Sequence, residues 1–557
     1  MKKILIGLTI ILLAFFFRFN NLNWDANFHL HPDERFLTMV GNAMKLPTTV
    51  NQYFNQKTSL MNPANVGYNF FVYGRFPLIL TKYLAVIYKL DNYNDFTILG
   101  RQLSAFFDIL IIFFIIKTVE LLEKKSKISP STKYWAGFFY TIAVLPIQLS
   151  HFFAVDTFLN FFMFGSFYFA LKSSEARTSG FSMTLLSAVF FGLALACKVT
   201  AIFILPLNLF FLIKTVFEKK LSLVKTVFIV FLYFVLAYFT LRLADPYLFQ
   251  TNNFFNPTLN TQFVGNIKQL KSFEGKDIWY PPAVQWLKKP AIIFSLINLM
   301  VFGVGIFYFI FIVIGIFKTL ISKKYELSII LTWITLFFLY QSTQFVKAMR
   351  YFIFVYPFLA IFAGIGISKL FETKNYLFHV LCFIVLLFWP LMFSSIYFNK
   401  NTRVEASEWI YKNLPNGSYI LSEYWDDALP MPVVNTYGKT FSGLQLKVFD
   451  PDTPGKWQLI NQELAKADYY ILSSNRGWGS ITTVPKKYPL MSKFYNELLA
   501  NKNPNYKKIK EFTSYPSLKY LSIPLELSDQ WSDENFTVFD HPKVIIYKNS
   551  NKIIKSF

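Results

Sequence analysis

Long apolar runs separated by short polar breaks dominate residues 1–397. Many of the runs reach the roughly 20 residues that a helix needs to cross the hydrocarbon layer of a bilayer. The pattern therefore predicts an all-α polytopic membrane bundle of about eleven transmembrane helices. Their approximate bounds are 4–18, 98–119, 134–150, 154–172, 180–197, 199–217, 223–242, 291–317, 327–345, 351–369 and 377–397.

The charges between these runs indicate an orientation. Segment 76–90 is short and carries two lysines, so it is interpreted as a helix lying in the membrane interface. With a cytoplasmic N-terminus, most inner loops are then short and basic, as the positive-inside rule requires. Counting 76–90 as a span would put those lysines outside. The predicted inner loops are Lys2-Lys3, Lys124 to Lys127, Ser173 to Gly180, Lys219-Lys220, Lys323-Lys324 and Glu372 to Lys374.

The N-terminus resembles a signal peptide, because Met1-Lys2-Lys3 precedes an apolar run that reaches Phe17. It lacks a small-residue cleavage site, so we interpret it as an uncleaved first span. Two large outer loops follow from this orientation, at 19–97 and 243–290. The chain is expected to be a multi-pass protein of the plasma membrane.

The pattern changes after residue 398. Apolar runs shorten to strand length at 418–422, 469–472 and 544–547, and they alternate with helical patterns near 404–413, 457–466 and 488–500. This alternation predicts a small α/β domain. The predicted organisation is a membrane domain over 1–397 and an extracytoplasmic domain over 398–557.

Composition supports the membrane interpretation. The chain is 54% hydrophobic and only 16% charged, against about 25% charged residues in soluble domains. A net charge of +23 could indicate nucleic-acid binding, but no nucleic-acid module is recognisable, and lysine-rich loops beside anionic lipid explain the charge. Cys197 and Cys382 lie in or beside apolar runs and are expected to be buried thiols.

Ionisable groups at the edges of the spans are candidates for function, because charge at membrane depth is costly. In the predicted orientation these groups collect on the outer face of the bundle. They are Asp25, His29, His31, Asp33, Glu34, His151, Asp156, Lys198, Arg242, Lys347, Arg350 and Tyr351.

Carboxylates and cations on one face suit glycosyl transfer from a lipid phosphosugar. A carboxylate can take the proton of the attacking hydroxyl, which typically contributes about 10²–10⁴-fold, and the transition state resembles an oxocarbenium ion. Arginine and lysine can stabilise a phosphate leaving group. No glycine-rich phosphate loop is present, which fits a donor held in the membrane.

Short motifs in this order resemble the protein O-mannosyltransferase type of GT-C glycosyltransferases (family 39). The motifs are His31-Pro-Asp-Glu-Arg-Phe36, Tyr73-Gly-Arg-Phe-Pro77, Gly100-Arg-Gln-Leu-Ser104, His151 to Asp156, Ala196-Cys-Lys198 and Arg350-Tyr351. The resemblance covers roughly residues 1–400 and implies a polyprenyl-phosphate sugar donor. It implies an inverting transfer of a hexose (mannose among them) or a pentose on the extracytoplasmic face.

The resemblance also implies roles for particular residues. Asp33 would be the catalytic base, Glu34 would orient it or hold the acceptor, and Asp156 would be the second acidic position. The residues expected to meet the donor or acceptor are Arg350, Lys198, Arg242, Tyr351, His151, His31 and Asp25. Loop 243–290 has no counterpart of the lumenal domain of the eukaryotic enzymes, which weakens the case for a protein acceptor. A lipid or polysaccharide acceptor fits at least as well as a protein. Whether a divalent cation takes part stays open.

Structural explanations compete with these roles. Asp33-Glu34 could cap an interfacial helix, and Arg101 and Asp108, seven apart on one helical face, are interpreted as a structural pair. Tyr424-Trp-Asp-Asp427 resembles the Trp-Trp-Asp motif of oligosaccharyltransferases, but tyrosine replaces the first tryptophan and the expected glycine is absent, so it is interpreted as a turn. Two other functions stay open: a transporter or flippase of lipid-linked glycans, and a non-catalytic glycan-binding membrane protein.

Overall fold

The computed structural model describes residues 2–126, 128–175, 180–218, 222–275, 280–372 and 375–552, and most of them are helical. The helices up to residue 398 are α1 Lys2–Phe19, α2 Pro32–Ala43, α3 Val50–Phe54, α4 Phe76–Tyr88, α5 Tyr93–Ser126, α6 Thr132–Thr141, α7 Val144–Ser150, α8 Val155–Glu175, α9 Gly180–Cys197, α10 Leu205–Glu218, α11 Leu223–Ala244, α12 Thr261–Ser272, α13 Ile293–Ile297, α14 Ile306–Ser322, α15 Tyr325–Thr343, α16 Tyr356–Ser368 and α17 Tyr376–Phe398. Short 3₁₀ segments are Pro63–Val66, Val199–Ile204, Pro246–Leu248, Pro281–Trp286, Met349–Val355 and Leu370–Glu372, and Asn298–Val304 is a π-helix.

Two predicted spans are not continuous helices. Span 134–150 is broken between α6 and α7, because Pro146 cannot donate a backbone hydrogen bond and its ring would clash with the carbonyl of Ile142. Span 291–317 bends by 114° between the π-helix and α14. The bend falls at Gly305, whose φ of +88° favours glycine. The hydrophobic pattern predicted neither interruption, and whether each segment crosses the membrane as one span stays a prediction.

Apolar helices with little protein around them identify a membrane protein. Four helices in the described ranges are long and apolar enough to cross a membrane, or five if the bent pair is one span. Only 17% of the apolar window of α11 is buried inside the protein, so its outer surface requires lipid. The count of eleven spans stays a prediction. The predicted basic inner loops fall partly outside the described residues, at Lys127, 176–179, Lys219-Lys220 and Thr373-Lys374.

Close backbone contact joins α14 and α16. A Cβ atom built on Gly315 would lie 1.8 Å from the carbonyl oxygen of Phe362, and one on Gly366 would lie 2.1 Å from that of Phe311. Small residues at such crossings let helix backbones approach, which is how helices associate in membranes. This contact lies in the apolar interior of the bundle.

A mixed five-stranded sheet follows the last long helix, as the prediction of an α/β domain requires. Strands β1 Tyr419–Glu423, β2 Ser442–Leu446, β3 Tyr469–Leu472, β4 Tyr506–Phe512 and β5 Val544–Asn549 lie in the order β2-β1-β3-β5-β4. The β1–β2 and β1–β3 pairs are parallel, and β5 runs antiparallel to β3 and β4. The helices are α18 Thr402–Asn413, α19 Pro454–Lys466, α20 Arg476–Ile481, α21 Pro489–Leu499 and α22 Glu534–Thr537, with a 3₁₀ turn at Lys519–Leu521.

One apolar core extends from the helical bundle into the C-terminal domain. Phe536 and Phe539 of the C-terminal domain belong to the same cluster of buried residues as Phe152 and Phe393 of the bundle. Polar contacts reinforce this junction, because the Gln148 side chain donates to Asp540 at 3.0 Å. The two parts of the chain therefore pack as one body at the end of the bundle that carries α2.

The structural pair predicted between Arg101 and Asp108 is wrong. Asp108 instead accepts hydrogen bonds from Arg18 of α1 at 2.6 Å and from the Tyr140 hydroxyl at 2.6 Å. Arg101 and Asp108 are seven positions apart, which is nearly two turns of α5. At that separation each side chain pairs with a residue of a neighbouring element, and they do not pair with each other.

Candidate functional site

The first turn of α2 sends its two acidic side chains into different surroundings. His31 caps the helix, with its Nδ1 accepting from the backbone N–H of Glu34 at 3.3 Å, and Pro32 occupies the first helical position. This local sequence fixes where the helix begins. Asp33 then faces a cavity, whereas Glu34 is completely buried.

Glu34 belongs to a buried network behind the helix. It accepts from Arg101 through Nε at 2.8 Å and through Nη2, and from the backbone N–H of Phe153 at 2.7 Å. Arg101 also donates to both oxygens of Asp25 and stacks over Trp24. Burial alone would raise the pKa of Asp25, but the charge and hydrogen bonds of Arg101, with smaller contributions from the Leu30 N–H and His29, together outweigh it and lower that pKa. Glu34 and Asp25 thus hold loop 19–97 against α5.

Asp33 forms an ion pair with Arg350 at the start of the segment Met349–Val355. The guanidinium Nη1 donates to Asp33 Oδ2, and the Tyr73 side chain also hydrogen bonds to the carboxyl. Burial disfavours the charged carboxylate, yet the Arg350 charge, the neighbouring His31 and the hydrogen bonds from Arg350 and Tyr73 together outweigh that cost and hold the pKa of Asp33 well below its usual range. Asp33 is therefore ionised at neutral pH, the form that a general base requires.

A second ion pair lies beside the first. Lys198, between α9 and Val199–Ile204, donates to Asp156 Oδ1 at 3.3 Å, and its ammonium lies 5.1 Å from the centre of the Tyr351 ring. The Arg350 guanidinium lies 5.6 Å from the same ring. Tyr351 thus lies within cation–π distance of both cations.

Both pairs meet at one cavity of about 290 Å³. Asp33, Lys198, Arg350 and Tyr351 line it directly, and Asp156 stands behind Lys198. The remaining lining residues are Val72, Tyr73, Leu270, Phe273, Glu274, Tyr280, Pro282, Ala283, Gln285, Trp286, Val346, Ala348 and Asn535. Residues far apart in the sequence therefore bring a carboxylate and two cations to one hollow.

Besides Glu34 and Asp25, three further predicted site residues lie away from the cavity. His151 is buried, with its ring nitrogens at the carbonyl oxygens of Ile147 and Asn20. Arg242 donates to the backbone oxygens of Thr251 and Asn253 in the loop after α11. His31 packs between two phenylalanine rings beside its capping bond. Within the described parts of the chain, no group of three His, Cys, Asp or Glu side chains is arranged to hold a metal ion.

Sequence reasoning missed several residues of the cavity. Tyr73 was noticed only as part of a motif, and its bond to Asp33 gives it a place beside the carboxylate. Tyr280 and Asn535 carried no signal in the sequence, since one lies in a loop and the other in the C-terminal domain. Only the folded arrangement brings them to α2.

No protein-family model matches the sequence, and no curated protein matches it at a significant level. Solved structures do match. The archaeal oligosaccharyltransferase AglB from Archaeoglobus fulgidus, in complex with an inhibitory peptide and a dolichol-phosphate, superimposes with a TM-score of 0.52 at 11% identity, over 98% of this chain and 88% of that chain. The same enzyme tethered to an acceptor peptide containing the NVT sequon gives the same TM-score, identity and coverage.

ArnT from Cupriavidus metallidurans bound to undecaprenyl phosphate matches with a TM-score of 0.45 at 12% identity, over 99% of this chain and 98% of that chain. At 11% identity the likeness to the archaeal oligosaccharyltransferase shows the fold alone: this chain folds like that enzyme over nearly its whole length. The closer resemblance to family 39 stays a prediction.

Proposed function

We propose that this protein is a membrane glycosyltransferase that moves one sugar from a polyprenyl-phosphate donor to a hydroxyl-bearing acceptor on the extracytoplasmic face. The convergence of Asp33, Arg350 and Lys198 on one cavity carries this proposal. The GT-C type fold supports it, as does the dolichol-phosphate in the similar archaeal enzyme, a lipid phosphate of the proposed donor class. The acceptor class, lipid, polysaccharide or protein, is left open.

The chemistry assigns a task to Asp33, to Arg350 and to Lys198. Asp33 takes the proton of the acceptor hydroxyl while the oxygen of that hydroxyl forms a bond to the anomeric carbon. The bond between that carbon and the phosphate oxygen breaks, and the phosphate keeps the electron pair. Arg350 and Lys198 stabilise the resulting negative charge. Attack from the face opposite the phosphate inverts the anomeric centre.

The size of the cavity favours a donor with a single sugar. Its volume of about 290 Å³ lies at the lower end of the range of about 300–1,000 Å³ for small-molecule sites. A phosphate with one sugar ring suits that volume, whereas a long oligosaccharide would extend far beyond it. Tyr351 and Tyr73 supply aromatic and hydroxyl groups at the charged end of the cavity.

The test uses cells that lack the protein. Mass spectrometry of surface glycans and of lipid-linked sugars should show loss of one sugar from a surface molecule and accumulation of its polyprenyl-phosphate form. Wild-type protein should reverse both changes, and D33N should reverse neither while reaching the membrane in equal amount. Unchanged glycans and lipid-linked sugars in the deletion strain would refute the proposal.

A further inference from the structure

The C-terminal domain contacts the helix that carries Asp33. Arg35, two residues after Asp33 in α2, donates through Nη2 to Asp427 Oδ1 at 2.8 Å, and its Nε donates to the carbonyl of His29 at 2.7 Å. Asp427 lies beside the turn at 424–426, the turn that was predicted there. Buried Arg403 of α18 lies 3.4 Å from the other oxygen of Asp427. The carboxylate of Asp427 therefore links α18 to α2.

The same domain contacts the segment that carries Arg350. The backbone N–H of Met349 donates to Asp533 Oδ2 at 2.7 Å. Asp533 is completely buried, and its own N–H donates to the side chain of Asn298 in the π-helix at 2.7 Å. Its second oxygen caps α22 by accepting from the N–H of Asn535 at 3.2 Å. One carboxylate thus fixes the first residue of the arginine-bearing 3₁₀ segment.

A third contact joins these two regions of the C-terminal domain. Arg476 of α20 donates to Glu534 Oε1 at 3.1 Å, next to Asp533, and to the carbonyl oxygen of Trp425, near Asp427. The two points of contact with the bundle are therefore held at a fixed separation. Asn535, from the same short helix, lines the cavity itself.

We infer that the C-terminal domain is part of the transfer site: Asp427 and Asp533 are positioning residues that set the placement of Asp33 relative to Arg350, and Asn535 contacts the bound substrate. The statement about substrate rests on the proposed function, whereas the positioning does not. Loss of either contact should let one member of the ion pair move. The domain after residue 398 is then required for the chemistry although it supplies neither the base nor the cations.

Hydrogen exchange of the full-length protein in nanodiscs tests the positioning without any substrate. D533A leaves the N–H of Met349 without its acceptor, so amides of residues 349–355 should exchange about tenfold faster than in wild type. D427N should do the same for the first turn of α2. The matched control is E408Q, which removes a carboxylate of the exposed Lys400–Glu408 pair in the same domain and should leave both segments unchanged. Equal exchange in all four proteins would overturn the inference.

D533N provides the conservative rescue, because the amide oxygen can still accept from Met349. It should recover most of the protection that D533A loses. If D533A does not fold, D427N decides the result through the exchange rates of the first turn of α2. Wild-type protection of that turn in D427N would then refute the positioning role.

Binding of undecaprenyl phosphate in the same nanodiscs separates this inference from the proposed function. Wild type and E408Q should bind it equally, and D533A about tenfold more weakly, because Arg350 is misplaced. Absence of binding to wild type, together with altered exchange in the variants, would reject the donor class but keep the positioning. If D533A and D427N both bind undecaprenyl phosphate and exchange their amides as wild type does, the positioning role of Asp427 and Asp533 is rejected. The proposed function is then unaffected.

For Asn535, N535A should weaken undecaprenyl phosphate binding or raise KM for the donor without changing the exchange of 349–355. A variant with wild-type KM and binding would remove Asn535 from the substrate contacts.

Discussion

Two adjacent carboxylates, Asp33 and Glu34, should respond in opposite ways to the same change from acid to amide. D33N removes a negative charge that faces the cavity, where 24% of the side chain is exposed. E34Q removes a negative charge that is fully buried and holds Arg101. The first variant should lose activity and keep stability, and the second should lose stability.

The contacts of each residue set the expected magnitudes. Loss of a general base costs about 10²–10⁴-fold in rate, while loss of a partly exposed ion pair costs about 1 kcal/mol or less in stability. Glu34 accepts three hydrogen bonds, and a glutamine would turn its NH₂ group toward an N–H donor. Breaking a buried ion pair costs about 3–5 kcal/mol. Because Asp25 still pairs with Arg101, we expect E34Q to fall near the lower end of that range.

Thermal unfolding in detergent provides the assay for stability. Cys197 is completely buried, so in a background carrying Cys382→Ser a thiol-reactive dye reports its exposure on unfolding. Because unfolding of large membrane proteins is commonly irreversible, the variants are compared at one heating rate. E34Q should unfold several degrees below D33N and wild type. An E34Q variant that unfolds at the wild-type temperature would refute the structural role of the buried network. A D33N variant with wild-type transfer activity would refute the assignment of Asp33 as the base.

Other consequences follow from the charges and from the packing. R350Q should move the acid limb of kcat/KM to higher pH, because the depressed pKa of Asp33 depends on that cation; an unmoved limb would contradict the ion pair. Burial disfavours the charged ring of His541, but two aspartates outweigh it and raise its pKa to about 10. The stabilisation of the folded protein by charged His541 is fully present below the unfolded pKa of about 6.5 and is lost as the pH rises through 10. H541Q should therefore melt at a lower temperature than wild type at pH 7, and the two melting temperatures should converge at alkaline pH. A difference that stays constant with pH would refute this. G315A should lower the apparent melting temperature, since its Cβ would meet a carbonyl oxygen at 1.8 Å, whereas G7A, with nothing within 4 Å, is the control; equal melting would contradict the helix contact.

The sequence pattern predicted the elements well where one physical rule dominates. Apolar runs of membrane length became helices, and the three strand-length runs after 398 became β1, β3 and β5. Strands β2 and β4 were missed, because β2 contains glycine and β4 is rich in lysine, so neither shows an apolar run. The breaks at Pro146 and Gly305 were also missed, since the hydrophobic pattern continues across both.

The candidate site was predictable only in part. Lys198, Arg350 and Tyr351 were named from their positions at span ends, and Asp33 from the acidic motif in loop 19–97; the structure brings the four together. Arg242 and His151 satisfied the same rule but bind backbone carbonyls elsewhere. Position along a span does not specify rotation about the helix axis or which loop folds over its end. Those depend on packing between distant segments, which no local pattern records.

The ion pair of Arg350 with Asp33 has a consequence for how the site binds anions. The guanidinium is already occupied by Asp33, so any phosphate that captures it must compete with that carboxylate. Asp33 then loses the neighbouring positive charge of Arg350, which had lowered its pKa. By thermodynamic reciprocity, protonating Asp33 must strengthen the capture of the anion by the same free energy. Binding of a phosphate to Arg350 and the rise in the proton affinity of Asp33 are thus two aspects of a single equilibrium.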